Sequence, residues 1–264
     1  MNMLKEKYAL VTGASSGIGS DFARILAKAG CHLILVARRL ERLQELKQNL
    51  QERNDIQVEI ISLDLNNPEA PQSLFQELEQ KNISVDILIN NAGIGLYGNF
   101  IDIPWEQEKD LLSLDILNLV HLTKLFATAM AARNSGYILN VASIGAFQPA
   151  PRYASYSAAK SFVLNFTEAL NYELRHTNVK VTALAPGVTR TEFFQTAGQK
   201  KLTLYQKLTM MESDQVAEIG INAMLAGKPS VIAGSLNALS IFFYRFLPRR
   251  WTTRLAAWAM KGGD

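Results

Sequence analysis

Residues 8–19 read "YALVTGASSGIG". An apolar run ends in a glycine-rich turn, and a helix-like segment over Ser20 to Ala29 follows. Gly13, Gly17 and Gly19 stand where a tight turn brings bare backbone against a ligand, with Ser15, Ser16 and Ile18 between them. N–H groups at the start of the helix favour an anion such as a pyrophosphate. The spacing G-x-x-x-G-x-G differs from the G-x-G-x-x-G fingerprint, and glycine-rich turns also serve purely structural ends. The strand–turn–helix context is what points to a nucleotide. No Lys followed by Ser or Thr closes the turn, which argues against an NTP-cradling P-loop and favours a dinucleotide.

The same alternation continues outward. "HLILVAR", "VEIISLDL", "DILINNAG", "GYILNVAS", "KVTALAPG" and "SVIAGS" are short runs rich in Val, Ile and Leu. Helix-like stretches separate them, among them Glu41 to Arg53, Trp105 to Arg133 and Ala154 to His176. This pattern predicts βαβ units around a parallel sheet buried on both faces, an α/β fold with seven strands and at least six helices. In a doubly wound sheet the ligand sits beyond the carboxyl ends of the strands, so functional residues are expected just after these runs.

A chain of 264 residues with 48% hydrophobic and 19% charged residues supports one large core and argues against disorder. Residues 1–235 are expected to form one catalytic domain and residues 236–264 a basic, aromatic-rich helical extension. Cys31 is the sole cysteine and the three histidines are scattered, so neither an internal disulfide nor a metal cluster is expected, and a cytoplasmic setting fits. The opening "MNMLKEKYALVTG" runs into the glycine turn rather than a cleavage site, and no stretch reaches ~18 apolar residues. A net charge of +3 is too small to argue for nucleic acid.

The second apolar run ends "VARR". A carboxylate there would accept hydrogen bonds from a free ribose 2′-hydroxyl and repel a 2′-phosphate. Ala37 carries no charge, whereas Arg38 and Arg39 can form charge-assisted bonds to a phosphate, so NADP(H) is favoured over NAD(H). A solvated basic helix start is the bland alternative, although basic residues there oppose the helix dipole.

"TGASSGIG" taken with "NNAG" (Asn90 to Gly93), Ser143, Tyr156, Lys160 and the "PG" of Pro186 and Gly187 resembles the short-chain dehydrogenase/reductase family over essentially residues 7–235. Ser143 precedes Tyr156 by thirteen residues, the family's usual interval. The resemblance implies a single Rossmann-type domain with strands in the order 3-2-1-4-5-6-7. It implies an NAD(P)-dependent oxidoreductase in which Tyr156 is the general acid or base, Ser143 positions the substrate oxygen and Lys160 binds the nicotinamide ribose. By the same resemblance Asn91, Ala92 and Gly93 contact the cofactor, Asp64 with Leu65 lies on the adenine side, and Pro186, Gly187, Val188, Thr189 and Thr191 lie on the nicotinamide side.

The chemistry of the i, i+4 pair agrees. A phenol of pKa ~10 holds its proton too tightly to act as a base near neutrality. An ammonium within ~4 Å at an effective dielectric of ~20 is worth about 4 kcal/mol, so Lys160 is expected to bring the Tyr156 pKa down. Ser143 can donate to a developing alkoxide.

One position departs from the family. Its members generally carry an asparagine, thought to hold a relay water, 28 residues ahead of the serine; here that residue is Asp115. Asn118 lies three residues further on and does not inherit the role. An ionised aspartate cannot donate, and its charge would pair with Lys160 or need burial as a neutral acid. Asp115 is therefore expected to alter the relay.

The segment "EFFQTAGQKKLTLYQKLTMM" follows "PGVTRT", where the family closes over substrate. Phe193, Phe194, Leu204, Tyr205, Met210 and Met211 suit a lipophilic ketone, aldehyde or 3-oxoacyl compound, or else form an ordinary buried helix face. In the tail, Phe242, Phe243, Phe246, Trp251 and Trp258 accompany Arg245, Arg249, Arg250, Arg254 and Lys261 against Asp264 alone, which suits either peripheral membrane contact or docking on another subunit. A homodimer or homotetramer through the long helices follows by analogy with the family. A dinucleotide-sensing or scaffold protein on the same fold is the alternative to an enzyme, and Asp115 alone favours it.

Overall fold

A computed structural model describes residues 4–260, apart from the side chain of Tyr205. Seven parallel strands form one sheet in the order β3-β2-β1-β4-β5-β6-β7, as expected. They are β1 (Tyr8–Thr12), β2 (His32–Ala37), β3 (Val58–Ser62), β4 (Val85–Asn90), β5 (Gly136–Val141), β6 (Val179–Ala185) and β7 (Ser230–Ile232). The helices are α1 (Gly17–Lys28), α2 (Leu40–Gln51), α3 (Ala70–Gln80), α4 (Trp105–Leu112), α5 (Leu119–Ala132), α6 (Ala154–Glu173), α7 (Phe193–Thr196), α8 (Leu204–Leu208), α9 (Ser213–Leu225), α10 (Ser235–Tyr244) and α11 (Arg249–Ala259).

The inner strands β1, β2, β4, β5 and β6 are mostly apolar because both faces of the sheet are covered there, whereas the edge strands β3 and β7 are partly exposed. Ala9, Val11, Leu33 and Leu35 point into one core with Phe22 and Leu26 of α1 and Val216 and Ile221 of α9. Their neighbours Leu10, Ile34 and Val36 point into the other, against Leu74 of α3 and Leu122 and Phe126 of α5. Alternation along each strand divides its residues between the two cores.

The segment expected as one regular helix over Trp105 to Arg133 is helical to Ala132 but carries a π-helical turn at Ser113–Asn118 between α4 and α5. Such turns mark places where a backbone register is adjusted, often at functional sites. Asp115 and Asn118 are both buried there, and the Asn118 amide donates to the Leu65 carbonyl. Asn118 is thus committed to tying the end of β3 to this helix. The stretch Trp105–Ala132 is long and apolar enough by length and composition to cross a bilayer, which corrects the reading that no stretch is. Leu119, Leu122, Phe126 and Met130 nevertheless pack into the protein's own cores.

A buried polar ladder joins the centre of the sheet to the helices. Asn90 donates to Thr123 Oγ1 (3.0 Å) and Asn140 Oδ1 (2.9 Å), and Asn140 donates to Thr167 Oγ1 (3.0 Å). It ties β4 and β5 to α5 and α6 just below the carboxyl edge, where the motif residues gather.

Candidate active site

The glycine turn after β1 is shaped by close backbone approach. Gly13 and Gly17 have φ of 64° and 53°, where a side chain is strained. A Cβ at Gly19 would lie 2.2 Å from the Gly13 carbonyl oxygen. The Thr12 hydroxyl accepts the N–H groups of Asn91 and Ala92 at 3.0 Å, and the Asn91 amide donates to the Thr12 carbonyl at 2.9 Å. The turns after β1 and β4 are thereby locked together. Ser16 at the start of α1 makes no side-chain cap, and no acidic residue lies in the first turn. The N-terminus of α1 follows directly on the carboxyl end of β1, where uncapped N–H groups favour an anion.

Arg39, at the start of α2, reaches back across this turn. Its guanidinium donates to Ser15 Oγ (3.1 Å) and Ser16 Oγ (2.8 Å) and to Glu192 Oε2 (2.9 Å), while Arg42 takes Glu192 Oε1 at 2.7 Å. These two guanidiniums hold the Glu192 carboxyl below its usual range. Arg38 is exposed beside them, and its carbonyl accepts from Ser62. Asp64 caps its own turn by accepting the Asn66 N–H (3.0 Å), with Leu65 buried beside it. Val188 and Thr189 are buried after β6, and Thr189 Oγ1 donates to the Gly187 carbonyl at 3.0 Å. Thr191 packs on Gly17, and a Cβ at Gly187 would strike the Asn237 amide of α10. Pro186 accepts the Ile144 N–H, which joins this turn to the one holding Ser143.

Ser143 follows β5 and accepts the Gly145 N–H at 3.0 Å, and its hydroxyl favours the ionised form of Tyr156. Tyr156 and Lys160 lie one turn apart on α6, with the ammonium 5.7 Å from the centre of the phenol ring. Lys160 Nζ forms an ion pair with Asp115 Oδ2 at 2.9 Å and donates to the Val141 carbonyl at 3.1 Å. Asp115 Oδ1 accepts the Ile94 N–H at 2.9 Å, and Asp115 is 0% exposed. Gly93 lies over the pair, for a Cβ there would be 3.1 Å from both Asp115 Oδ1 and Lys160 Nζ.

Burial pushes the Asp115 carboxyl above the usual carboxylate range, against the Lys160 ammonium and the Ile94 N–H, which favour its ionised form. For Lys160, burial works against the charge, but Asp115 and then Tyr156 outweigh it and hold the ammonium above its ordinary value. Lys160 acts to lower the Tyr156 pKa, as expected, but the net shift runs the other way: the phenol is raised. Burial is the largest cause, Lys160 and the Ser143 hydrogen bond oppose it, and the Asp115 carboxylate adds to it. The ammonium is shared with a buried anion that the local i, i+4 spacing does not reveal.

Sequence reasoning passed over the aromatic wall around Tyr156. Tyr153 lies 5.7 Å and Phe193 5.2 Å from the Tyr156 ring, centre to centre, and Tyr97 is 5.2 Å from Tyr153. Tyr153 donates to Gln199 Oε1 at 2.9 Å, and burial holds its own pKa well above the ordinary value. Of the apolar residues expected over the substrate, Phe193 faces Tyr156, Phe194 packs on Phe193 and Met211 bridges to Thr189, whereas Leu204 is exposed. Tyr205's side chain, Lys261 and Asp264 lie outside the described residues. Glu192, Arg42 and Thr12 were also missed. Thr12 stands inside the "TG" of the glycine motif and was within reach, whereas Glu192 is 153 residues from Arg39 and has no local signature.

The model of the family described as short chain dehydrogenase matches residues 7–202. The chain belongs to the short-chain dehydrogenase family. This short-chain dehydrogenase is an oxidoreductase, and it is similar over most of its length to proteins of several activities. The NADP-dependent 3-hydroxy acid dehydrogenase of Schizosaccharomyces pombe is 30% identical over 89% of this chain and 93% of its own. Among solved structures, a short-chain dehydrogenase from Sphingobium yanoikuyae in complex with NADPH is 29% identical, with a TM-score of 0.80 over 92% of this chain and 97% of that one. The bulky-bulky ketone specific alcohol dehydrogenase from Comamonas testosteroni is 27% identical, with a TM-score of 0.77 over 91% and 92% of the two chains.

Proposed function

We propose that this short-chain dehydrogenase is an NADPH-dependent carbonyl reductase acting on lipophilic ketones, aldehydes or 3-oxoacyl compounds. The observation that carries the direction is the Lys160–Asp115 ion pair beside a phenol whose pKa is raised, since Tyr156 then keeps its proton at neutral pH and serves as a general acid. A nicotinamide held at the carboxyl edge supplies hydride-transfer chemistry. Tyr156 gives the carbonyl oxygen its proton, and Ser143 donates to the same oxygen as charge develops on it. Lys160 orients the ribose and returns the phenol to its protonated form, with Asp115 at the inner end of the relay.

The donor set at the first turn fits a dinucleotide, with the uncapped positive end of α1 for the pyrophosphate. Preference for NADP(H) rests on Arg39 with Ser15 and Ser16, on Arg42, and on a β2 that ends in Ala37 without a carboxylate. Arg38 is a further cation at the same edge. Asp64, Leu65, Asn91, Ala92 and Gly93 border the adenine and ribose, and Pro186, Gly187, Val188, Thr189 and Thr191 border the nicotinamide. A lipophilic substrate suits the wall of Tyr97, Tyr153 and Phe193. A homo-oligomer would use α4 to α6, where Trp105, Leu117, Phe162 and Tyr172 are exposed.

The test is NADPH oxidation across aliphatic, steroid-like and 3-oxoacyl carbonyls, with Tyr156→Phe as control. Turnover of at least one class that disappears in the variant is expected. Equal rates in the two proteins would overturn the reading, and NADPH binding without turnover of any carbonyl would favour the sensing or scaffold alternative.

A further inference from the structure

The two C-terminal helices leave most of their large apolar side chains on the outside. Helix α11 turns Thr252 and Ala256 inward and leaves Trp251 50% and Trp258 69% exposed, with Leu255 exposed between them. Residues 251, 255 and 258 recur at the spacing of one helix face, and Arg254 shares that face. Helix α10 buries Asn237 and Ile241 while exposing Phe242 and Phe243, and Phe246, 70% exposed, packs on Phe242 at 5.5 Å. A soluble helix that exists only to cover a core puts its large apolar residues inward, so the outward faces are built for another medium.

The charge around these aromatics selects that medium. Arg245, Arg249, Arg250 and Arg254 are exposed in the same stretch, and residues 219–263 contain no acidic residue. A two-fold contact would set this patch against itself and bring arginine onto arginine with no carboxylate of residues 219–263 to separate them. An anionic lipid surface instead meets the guanidiniums with phosphates while tryptophan and phenylalanine enter the headgroup boundary. We propose that α10 and α11 form a docking surface for an anionic phospholipid bilayer. At the end of α11, Met260 packs with Ala150, Tyr153 and Ala197 on the aromatic cluster that contains Tyr156 and Phe193, and the Gln206 amide contacts its sulfur at 3.9 Å. The docking surface thus adjoins the site.

Sedimentation of the full-length protein with phosphatidylglycerol vesicles and with phosphatidylcholine vesicles tests the proposal. Partition into phosphatidylglycerol should exceed that into phosphatidylcholine by roughly tenfold or more, and high salt should reduce it. The double variant Trp251→Ser, Trp258→Ser should stay in the supernatant with an unchanged circular dichroism spectrum. The double variant Arg250→Glu, Arg254→Glu should lose the preference for anionic lipid, and it tests the same surface should the tryptophan variant not fold. Full recovery of the wild-type protein in the supernatant with both lipids would overturn the proposal, as would equal partition into the two. A dimer that the tryptophan substitutions convert to monomer, with no vesicle binding, would assign the face to a second copy of this chain and overturn it too.

Discussion

Asp115 Oδ2 lies 2.9 Å from Lys160 Nζ in a fully buried ion pair, one helical turn from the phenol of Tyr156. The ammonium that would stabilise a Tyr156 phenolate is partly neutralised by this carboxylate, which itself raises the phenol. An asparagine at the same position would accept the Ile94 N–H equally well and carry no charge.

This sets the pH behaviour. With its pKa above the ordinary value of ~10, Tyr156 is protonated across the neutral range. Carbonyl reduction, which needs the phenol, should hold its rate into alkaline pH, and alcohol oxidation, which needs the phenolate, should climb throughout. Asp115→Asn removes a cause of the raised pKa, so its oxidation profile should move to lower pH while turnover is retained. Superimposable pH–rate profiles for the two proteins would rule out a tuning role for Asp115.

Removing one partner of a buried pair leaves the other charge uncompensated. Lys160→Met should therefore destabilise the protein by about 3–5 kcal/mol, and Lys160→Met combined with Asp115→Leu should recover much of that loss. Urea unfolding midpoints of the single and double variants measure both. A double variant no more stable than the single one would contradict the pairing as the source of the loss.

The role of Tyr156 is separable from binding. Tyr156→Phe keeps the ring that packs on Tyr153 and Phe193 and removes only the hydroxyl. Turnover should fall roughly 10²–10⁴-fold while NADPH affinity, read by fluorescence titration, stays near the wild-type value.

Glu192 clasps the two guanidiniums proposed to read the 2′-phosphate. Both partners are about two-fifths exposed, so the clasp is a weak surface pair worth up to ~1 kcal/mol. Glu192→Gln should tighten NADPH binding by up to about fivefold and leave NADH binding unchanged. Arg39→Glu should weaken NADPH by roughly tenfold to a hundredfold and narrow the preference over NADH. Isothermal titration with the two cofactors decides, and equal losses for both would remove Arg39 from 2′-phosphate recognition.

Phe193 closes the wall against Tyr156, and a Cβ at Gly95 would lie 2.5 Å from its ring, so the ring fits against bare backbone. Phe193→Ala should raise KM for lipophilic ketones about tenfold and change KM for a small aldehyde far less. A parallel rise for both would mean that the ring only holds the loop.

The fold was legible because sheet and cover announce themselves locally. Seven short runs rich in Val, Ile and Leu, separated by helix-like stretches, read as strands of a covered parallel sheet, and the glycine turn after Thr12 is a backbone requirement that any reading of "TGASSGIG" meets. Ser143, Tyr156 and Lys160 were nameable from their order and spacing, since a helical turn brings residues 156 and 160 together whatever surrounds them. Tertiary structure alone decided the sign of the Tyr156 shift, the clasp of Glu192 on Arg39, and the outward placement of Trp251 and Trp258 on α11. A pKa depends on desolvation and on every charge within a few ångströms, and Asp115 reaches Lys160 only through the packing of α6 against the π-helical turn at Ser113–Asn118. Periodicity tells which residues of a segment share a face, but which face meets the core and which meets solvent is settled only when the chain is folded.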